Sequence, residues 1–306
     1  MDILQPLIVL LFFPAGLFVM GNGLAYMWVD RKLVAQYQNR IGPRWFQPLA
    51  DVVKLLSKEE IVPEGIEAWL FNGLPLLALA CALTAALYVP LVGLQPAFSF
   101  QGDLIVTVYL LSVVTMGLAL AGANTADRFS LIGAVRTLTQ LFSYEAPFML
   151  ALLGPAIVAG SWQISAVNAF AGQHWIILTQ PIGFVVALIG LMGKLELPPF
   201  DAPEAETEIV KGALTEYSGR GLALFQLAKA VELVVGLTLI GSFYLGGIGN
   251  PIEFFIKTLA ILLVLAGLQS LFARLRIEQT VKWWRYASLL VLVQWLIIAV
   301  LGGKTL

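Results

Sequence analysis

Acidic residues crowd one short segment between two strongly apolar parts of the sequence. Mutual repulsion and partial burial raise the pKa values of some carboxylates in such a cluster, so that they can carry protons near neutral pH. A chain of carboxylates that enters a membrane is what a proton relay requires, whereas the alternative is a solvated acidic loop. The carboxylates are Glu196, Asp201, Glu204, Glu206, Glu208 and Glu216.

Apolar residues, prolines and a glycine interrupt this acidic pattern, among them Phe200 and Tyr217. Irregular backbone at membrane depth is tolerated where surrounding protein satisfies its polar groups. We therefore predict that residues 194–220 form an acidic cytoplasmic loop that re-enters the protein.

Further ionisable residues lie inside apolar segments. Glu145 opens one of them, Lys229 and Glu232 are three residues apart on one face of another, and Lys257 is one turn into the next. Each costs roughly 2.5–3.5 kcal/mol near the bilayer centre, which favours a functional role. Lys229 and Glu232 are placed to pair. The alternatives are a buried ion pair that fixes helix packing and, for Lys257, snorkelling to the interface.

The composition is that of a membrane protein. Of 306 residues, 59% are hydrophobic and 12% charged, and a soluble chain of this kind would expose large apolar patches. One cysteine and one histidine provide no ligand set for zinc, haem or an iron–sulfur cluster. The net charge of −1 gives no reason to expect nucleic-acid binding. We expect no metal, cofactor or catalytic nucleophile in this chain.

The apolar segments predict an all-α fold: a single membrane domain, residues 1–306, with about eight transmembrane helices. The first segment lacks a basic start and a cleavage pattern, so we expect a retained helix rather than a signal peptide. The predicted spans lie near 4–28, 67–92, 104–122, 139–160, 175–194, 221–247, 252–273 and 284–302.

The distribution of cations supports this count. Fifteen of the 18 Lys and Arg residues fall in or beside the first, third, fifth and seventh connections, and none falls in the second, fourth or sixth. Cytoplasmic loops are enriched in Lys and Arg. We therefore predict a multi-pass protein of the cytoplasmic membrane with both termini, including Lys304, on the extracytoplasmic side.

The first connection carries an amphipathic pattern. Apolar residues recur at helical spacing opposite Asp51, Lys54 and Ser57, with Pro48 near the start. This predicts a helix that lies in the membrane interface, either as a surface anchor or as a docking site for a partner. The apolar residues are Phe46, Leu49, Val52, Val53 and Leu56.

Three segments resemble the H-subunit (subunit 1) family of respiratory complex I and its relatives, the membrane-bound energy-converting hydrogenases and sulfane reductases. The middle segment is highly specific, because its PFD, PEAE and EYSG elements occur in series in a protein of about eight spans. The segments are DRKLVAQYQNRIGPRWFQPLADVVKLLSKE (30–59), PPFDAPEAETEIVKGALTEYSG (198–219) and ARLRIEQ (273–279).

The resemblance implies a subunit at the junction between a peripheral electron-transfer arm and a membrane arm. The matching motifs imply that the following are relay residues: Glu145, Asp201, Glu204, Glu206, Glu208 and Glu216. From their placement in the sequence we add Glu196, Lys229 and Glu232. It likewise implies an arm junction at Arg40, Arg274, Arg276 and Glu278. The expected partners are hydrogenase-like or complex I-like peripheral subunits, antiporter-like membrane subunits and lipid. The partners would carry the iron–sulfur clusters and a nickel–iron centre if there is one.

This sequence departs from the quinone-reducing branch of the family at several positions. The stretch RWF between NRIGP and QP is shorter than in that branch, and Lys194 and Lys229 align with its glutamates. Glu278 stands where that branch usually has aspartate. These differences favour a coupling subunit of a hydrogenase or sulfane reductase type of ion pump, for H⁺ or Na⁺. The alternatives are the quinone-site subunit of complex I in the same family, a stand-alone proton-coupled transporter and a structural anchor.

Overall fold

The computed structural model describes residues 11–302, apart from the side chains at positions 206, 301 and 302. Within that range the chain is helical and contains no strand. The helices are α1 (Leu17–Tyr37), α2 (Gln47–Ser57), α3 (Ala68–Ala86), α4 (Asp103–Ala123), α5 (Arg128–Ala159), α6 (Ile164–Gln173), α7 (Ile176–Thr179), α8 (Pro181–Lys194), α9 (Glu206–Ile209), α10 (Gly219–Tyr244), α11 (Pro251–Leu271) and α12 (Ile277–Gly302).

Six of the described helices are long and apolar enough to cross a membrane: α3 with the turn after it, α4, α5, α10, α11 and α12. Helix α8 is apolar but shorter, with 14 residues. Helices α1 and α8 lie at the two remaining predicted spans. The prediction of an all-α, multi-pass membrane protein is thus confirmed. Residues 4–10 of the first predicted span, and Lys304, lie outside the described residues.

Helix boundaries differ from the prediction where proline or charge disturbs the apolar pattern. The predicted span 175–194 is broken at Gln180, because Pro181 lacks the N–H that would continue α7 into α8. Helix α5 begins at Arg128 rather than near residue 139 and has 32 residues. At 1.5 Å per residue it is roughly 48 Å long, well over the roughly 30 Å hydrocarbon thickness. Its first turns therefore reach the acidic loop.

Helix α10 forms the centre of the bundle. It packs against α1, α2, α3 and α11, and most of its length is buried inside the protein. Glu232 and the helix around it are completely buried. Helix α12, in contrast, leaves most of its surface exposed and packs against α5 and α8 along one side.

Helix α2 confirms the predicted amphipathic helix of the first connection. Val52 and Leu55 are buried, facing α10 and α1. Leu49, Val53 and Leu56 are exposed on the other side. The apolar stripe is therefore divided, because one part packs against the bundle and the other faces outward; its placement in the interface remains a prediction.

The acidic loop is packed against the bundle rather than extended into solvent. Phe200, Ala205 and Tyr217 are buried. The turn at Gly212–Leu214 touches α4 and α5 at two glycines, Gly122 and Gly133, where the backbones approach closely. A Cβ at Gly133 would lie 2.3 Å from the backbone nitrogen of Ala213. The loop backbone therefore requires glycine on the helix that supports it.

We expect Gly133→Ala to destabilise the protein by about 1–3 kcal/mol, because the added methyl group overlaps the loop backbone. Gly117→Ala in α4 is the matched control, since its Cβ would meet Ala78 Cβ at an ordinary 3.8 Å. There the better helix propensity of alanine should be neutral or stabilising. Thermal unfolding in detergent measures both, and equal midpoints would contradict this account of the contact.

Candidate functional site

Three charged residues meet where the acidic loop touches α10, and we call them the outer cluster: Glu196, Glu204 and Lys229. The Lys229 ammonium donates to Glu196 Oε2 at 2.7 Å and to Glu204 Oε1 at 2.5 Å. Glu196 lies two residues after the end of α8, and Thr137 from the extended start of α5 donates to its other oxygen at 3.3 Å. One partly buried cation thus holds two carboxylates from the loop.

The two carboxylates of the outer cluster differ in proton affinity. Burial raises the pKa of Glu196, and this effect outweighs the opposing attraction of Lys229. Burial also acts on Glu204, but Lys229, Lys211 and Arg31 together hold the pKa of that carboxyl below its usual value. A single proton on this pair therefore resides on Glu196. Such an arrangement can accept and release a proton without leaving the lysine unpaired.

The outer cluster lines an open cavity of about 500 Å³. The cavity wall is formed by α1, the acidic loop, the start of α10 and Arg274. It carries both signs of charge, which gives water and protons a polar route to the cluster. The charged residues that line it are Asp30, Arg31, Glu196, Asp201, Glu204, Lys211, Lys229 and Arg274.

A second group of residues lies deeper, and we call it the inner cluster: Lys194, Glu232, Ser112 and Glu145. Lys194 Nζ lies 3.6 Å from Glu232 Oε1, and both side chains are 1% exposed. It also lies 3.5 Å from Ser112 Oγ, which hydrogen-bonds Glu145 Oε1. The four residues come from α8, α10, α4 and α5. Because Glu232 is one turn from Lys229 on α10, the two clusters are neighbours.

Ion pairs fasten the acidic loop to the rest of the protein. Arg274 donates to both oxygens of Asp201, at 2.9 and 2.7 Å, and its Nη1 lies 3.6 Å from Glu208. Arg136 of α5 donates to Glu208 at 2.8 Å and to the Ala202 carbonyl at 3.3 Å. The hydrogen bond from Arg136 and the charges of Arg136 and Arg274 lower the pKa of Glu208. Two arginines from separate elements therefore clamp the loop.

The structure brings some predicted relay residues together and leaves others apart. Glu196, Glu204 and Lys229 share the outer cluster, whereas Glu145 and Glu232 lie in the inner cluster. Asp201 and Glu208 instead pair with arginines. Half-buried Glu216 makes no side-chain hydrogen bond or ion pair with the residues that the structure describes, and the side chain of Glu206 is not among them. Their roles in charge transfer remain predictions.

The predicted pairing of Lys229 with Glu232 is wrong. Lys229 turns toward the loop, where Glu196 and Glu204 together offer two acceptors, and Glu232 faces Lys194 instead. Of the arm-junction candidates, Arg274 holds the loop, whereas the side chains of Arg40, Arg276 and Glu278 are exposed. The exposed residues are therefore accessible to a partner.

Several site residues were not among the predicted ones. Lys194 was noted only as a departure from a family pattern, and Ser112, Thr137 and Arg136 carry no signal in a single sequence. Asp30 lines the cavity and accepts a hydrogen bond from Gln269 at 2.8 Å, and its position in the DRK motif was the available signal. Within residues 11–302, no three His, Cys, Asp or Glu residues converge as a metal site would require.

Comparison with known proteins assigns the chain to a family. A family model described as NADH dehydrogenase matches residues 8–300. The chain belongs to the NADH dehydrogenase family. The resemblance predicted from its three segments is therefore confirmed.

Two relatives in the NADH dehydrogenase family illustrate the similarity. The H subunit of NADH-quinone oxidoreductase from Carboxydothermus hydrogenoformans is 32% identical over 285 residues, which cover 88% of this chain and 81% of that protein. The first of the numbered H subunits of NADH-quinone oxidoreductase from Geobacter metallireducens is 34% identical over 303 residues, 92% of each chain. Both relatives are, by name, subunits of larger oxidoreductases.

The fold also matches a chain in the structure of the membrane-bound sulfane sulfur reductase, an archaeal respiratory membrane complex. The TM-score is 0.85 at 22% identity, and the match covers 96% of this chain and 98% of that chain. Nearly the whole helical arrangement is therefore shared. At this level of identity the match describes the fold alone.

Proposed function

We propose that this chain is the junction subunit of a multisubunit, redox-driven ion pump. It anchors the peripheral electron-transfer arm and relays charge that couples electron transfer to H⁺ or Na⁺ translocation. The observation that carries the proposal is the outer cluster, in which Lys229 holds Glu196 and Glu204 at 2.7 and 2.5 Å at the wall of an open cavity. Membership of the NADH dehydrogenase family supports a role within an oxidoreductase complex.

The relay follows from the unequal carboxylates of the outer cluster. A proton that arrives through the cavity binds Glu196 in preference to Glu204, because the pKa values of the two differ in direction. Lys229 then pairs with Glu204 alone, and the electrostatic field at Glu232, one turn along α10, changes. Charge is thereby passed from the cavity to the inner cluster through fixed side chains.

We place the complex in the hydrogenase or sulfane reductase branch. Lysines at positions 194 and 229 support this branch, since the quinone-reducing relatives carry glutamates where these align. No cofactor is assigned to this chain, and partner subunits carry the iron–sulfur clusters and any nickel–iron centre. The remaining partners are antiporter-like membrane subunits and lipid.

The second candidate is the quinone-site subunit of complex I. It is favoured by the relatives at 32 and 34% identity, which are named as H subunits of NADH-quinone oxidoreductase. A cavity of about 500 Å³ is large enough for a quinone headgroup. Eight charged residues line it, whereas pockets that usually bind such molecules carry only a small number of polar groups.

Purification through a tag on this chain in mild detergent, followed by assays for hydrogen, sulfide and quinol, tests the proposal. We expect a hydrogenase-like large subunit to co-purify and the complex to form hydrogen or sulfide. Quinol formation without either product would select the second candidate. Purification of the chain alone would contradict a junction role and favour a stand-alone transporter.

A further inference from the structure

The ammonium of Lys194 stands between two acceptors without completing a hydrogen bond of ordinary length to either. Its Nζ is 3.6 Å from Glu232 Oε1 and 3.5 Å from Ser112 Oγ. Hydrogen bonds from an ammonium to a carboxylate are normally about 2.7–2.9 Å long. A shift of roughly 1 Å toward either acceptor would therefore complete that contact.

The carboxylates on both sides have oxygens free to receive this ammonium. Among the described residues, both oxygens of Glu232 and Oε2 of Glu145 are buried without a hydrogen-bond partner. Lys194 itself is 1% exposed, so bulk solvent does not reach its side chain. One cation thus lies within reach of two carboxylates, Glu232 on α10 directly and Glu145 on α5 through Ser112.

The hydroxyl group of Ser112 makes this arrangement sensitive to the proton on Glu145. Ser112 Oγ lies 2.9 Å from the Val108 carbonyl and also contacts Glu145 Oε1. A hydroxyl carries one hydrogen, so it donates to only one of them. When Glu145 is ionised it accepts that hydrogen; when Glu145 is protonated it donates to Ser112, whose hydrogen returns to Val108.

We propose that Lys194 is a positioning residue, a tethered cation that alternates between Glu232 and the Ser112–Glu145 pair. Lys194 follows whichever carboxylate is ionised, so protonation of one favours ionisation of the other. The ammonium thereby links the outer cluster, through Glu232, to Glu145. This inference rests on the proposed function, because it describes the inner section of the same relay.

Ser112→Ala in the assembled complex is the primary test, because it removes the bridging hydroxyl and little volume. In reconstituted vesicles we expect the number of ions translocated per electron to fall at least tenfold, with electron transfer and assembly unchanged. Ser242→Ala is the matched control, since Ser242 is also buried in a helix and donates to the Leu239 carbonyl at 3.0 Å. A wild-type ratio in Ser112→Ala would overturn the inference.

A charge-compensated pair of variants separates the structural pairing of Lys194 with Glu232 from its role in translocation. If Lys194 neutralises Glu232, then Lys194→Met should lower assembly and thermal stability, and the double variant Lys194→Met/Glu232→Gln should recover both. We do not expect the double variant to recover translocation, because it lacks the Glu232 carboxylate of the relay. If it does not assemble, the Ser112→Ala result decides.

The outcome for Lys229→Met distinguishes this inference from the proposed function. Loss of translocation in Lys229→Met together with a wild-type ratio in Ser112→Ala would overturn the role of Lys194 alone. Wild-type translocation in Lys229→Met would overturn the relay as a whole.

Discussion

Lys229→Met is expected to lower ion translocation per electron at least tenfold in the assembled complex, while electron transfer between partner subunits continues. The substitution keeps the length of the side chain but leaves Glu196 and Glu204 without the cation that lies 2.7 and 2.5 Å away. The Glu196 side chain is 5% exposed, so loss of the cation leaves a buried charge uncompensated and favours proton uptake at that carboxyl. The Glu204 side chain is 41% exposed and remains near Lys211 and Arg31.

The matched control is Lys257→Met, which removes another lysine from an apolar helix. Lys257 donates to the Gly246 carbonyl at 3.2 Å and lies 3.6 Å from Glu253, away from both clusters. We expect this variant to keep its translocation ratio. Equal loss in the two variants would show that any missing lysine disrupts the bundle and would contradict a specific relay.

The pH dependence of stability gives Lys229→Met a second signature. In the wild type, the lowered pKa of Glu204 adds stability that is present above its unfolded pKa of about 4.3 and is lost as the pH falls. The raised pKa of Glu196 acts in the opposite direction. Without Lys229, both carboxylates lose the cation that lowers their pKa values, so the variant should lose stability relative to the wild type as the pH rises above about 4.3. Unfolding midpoints of the two proteins across this range measure the difference.

Arg274→Met should increase opening of the acidic loop about 10- to 100-fold, which corresponds to roughly 1.4–2.7 kcal/mol. The arginine holds both oxygens of Asp201 at 2.9 and 2.7 Å and lies 3.6 Å from Glu208. A bidentate, partly buried pair of this kind is stronger than an ordinary surface ion pair. Amide hydrogen exchange over residues 195–218 measures the opening.

Arg276→Met is the control, because Arg276 lies two residues further along the chain with its side chain exposed. It should leave the exchange of the loop unchanged and instead weaken attachment of the peripheral arm. Faster loop exchange in Arg276→Met, or unchanged loop exchange in Arg274→Met, would contradict this division of roles between the two arginines.

The sequence predicted the membrane architecture because apolar length and cation distribution depend on the solvent rather than on tertiary contacts. It missed the early start of α5 because Arg128 and Arg136 make those turns look like a cytoplasmic loop. It also missed the break before Pro181, since the segments on both sides of Gln180 are largely apolar.

Only part of the candidate site could be predicted from the sequence. Glu145, Lys229 and Glu232 are detectable because ionisable groups in apolar segments are costly and therefore rare. Which residue each one faces depends on how the helices are rotated against one another, so spacing along α10 suggested the wrong partner for Lys229. Lys194 gave a weaker signal, since a lysine at the end of an apolar helix usually snorkels to the interface.

The most direct measurement of the central claim is redox-triggered infrared difference spectroscopy on the assembled complex, because protonated carboxyl groups absorb apart from ionised ones. If the outer cluster relays protons during turnover, the difference spectrum should contain a carboxyl C=O band that disappears in Glu196→Gln and persists in the exposed control Glu278→Gln. A wild-type spectrum in Glu196→Gln would show that this carboxyl keeps its protonation state throughout turnover and would contradict the relay.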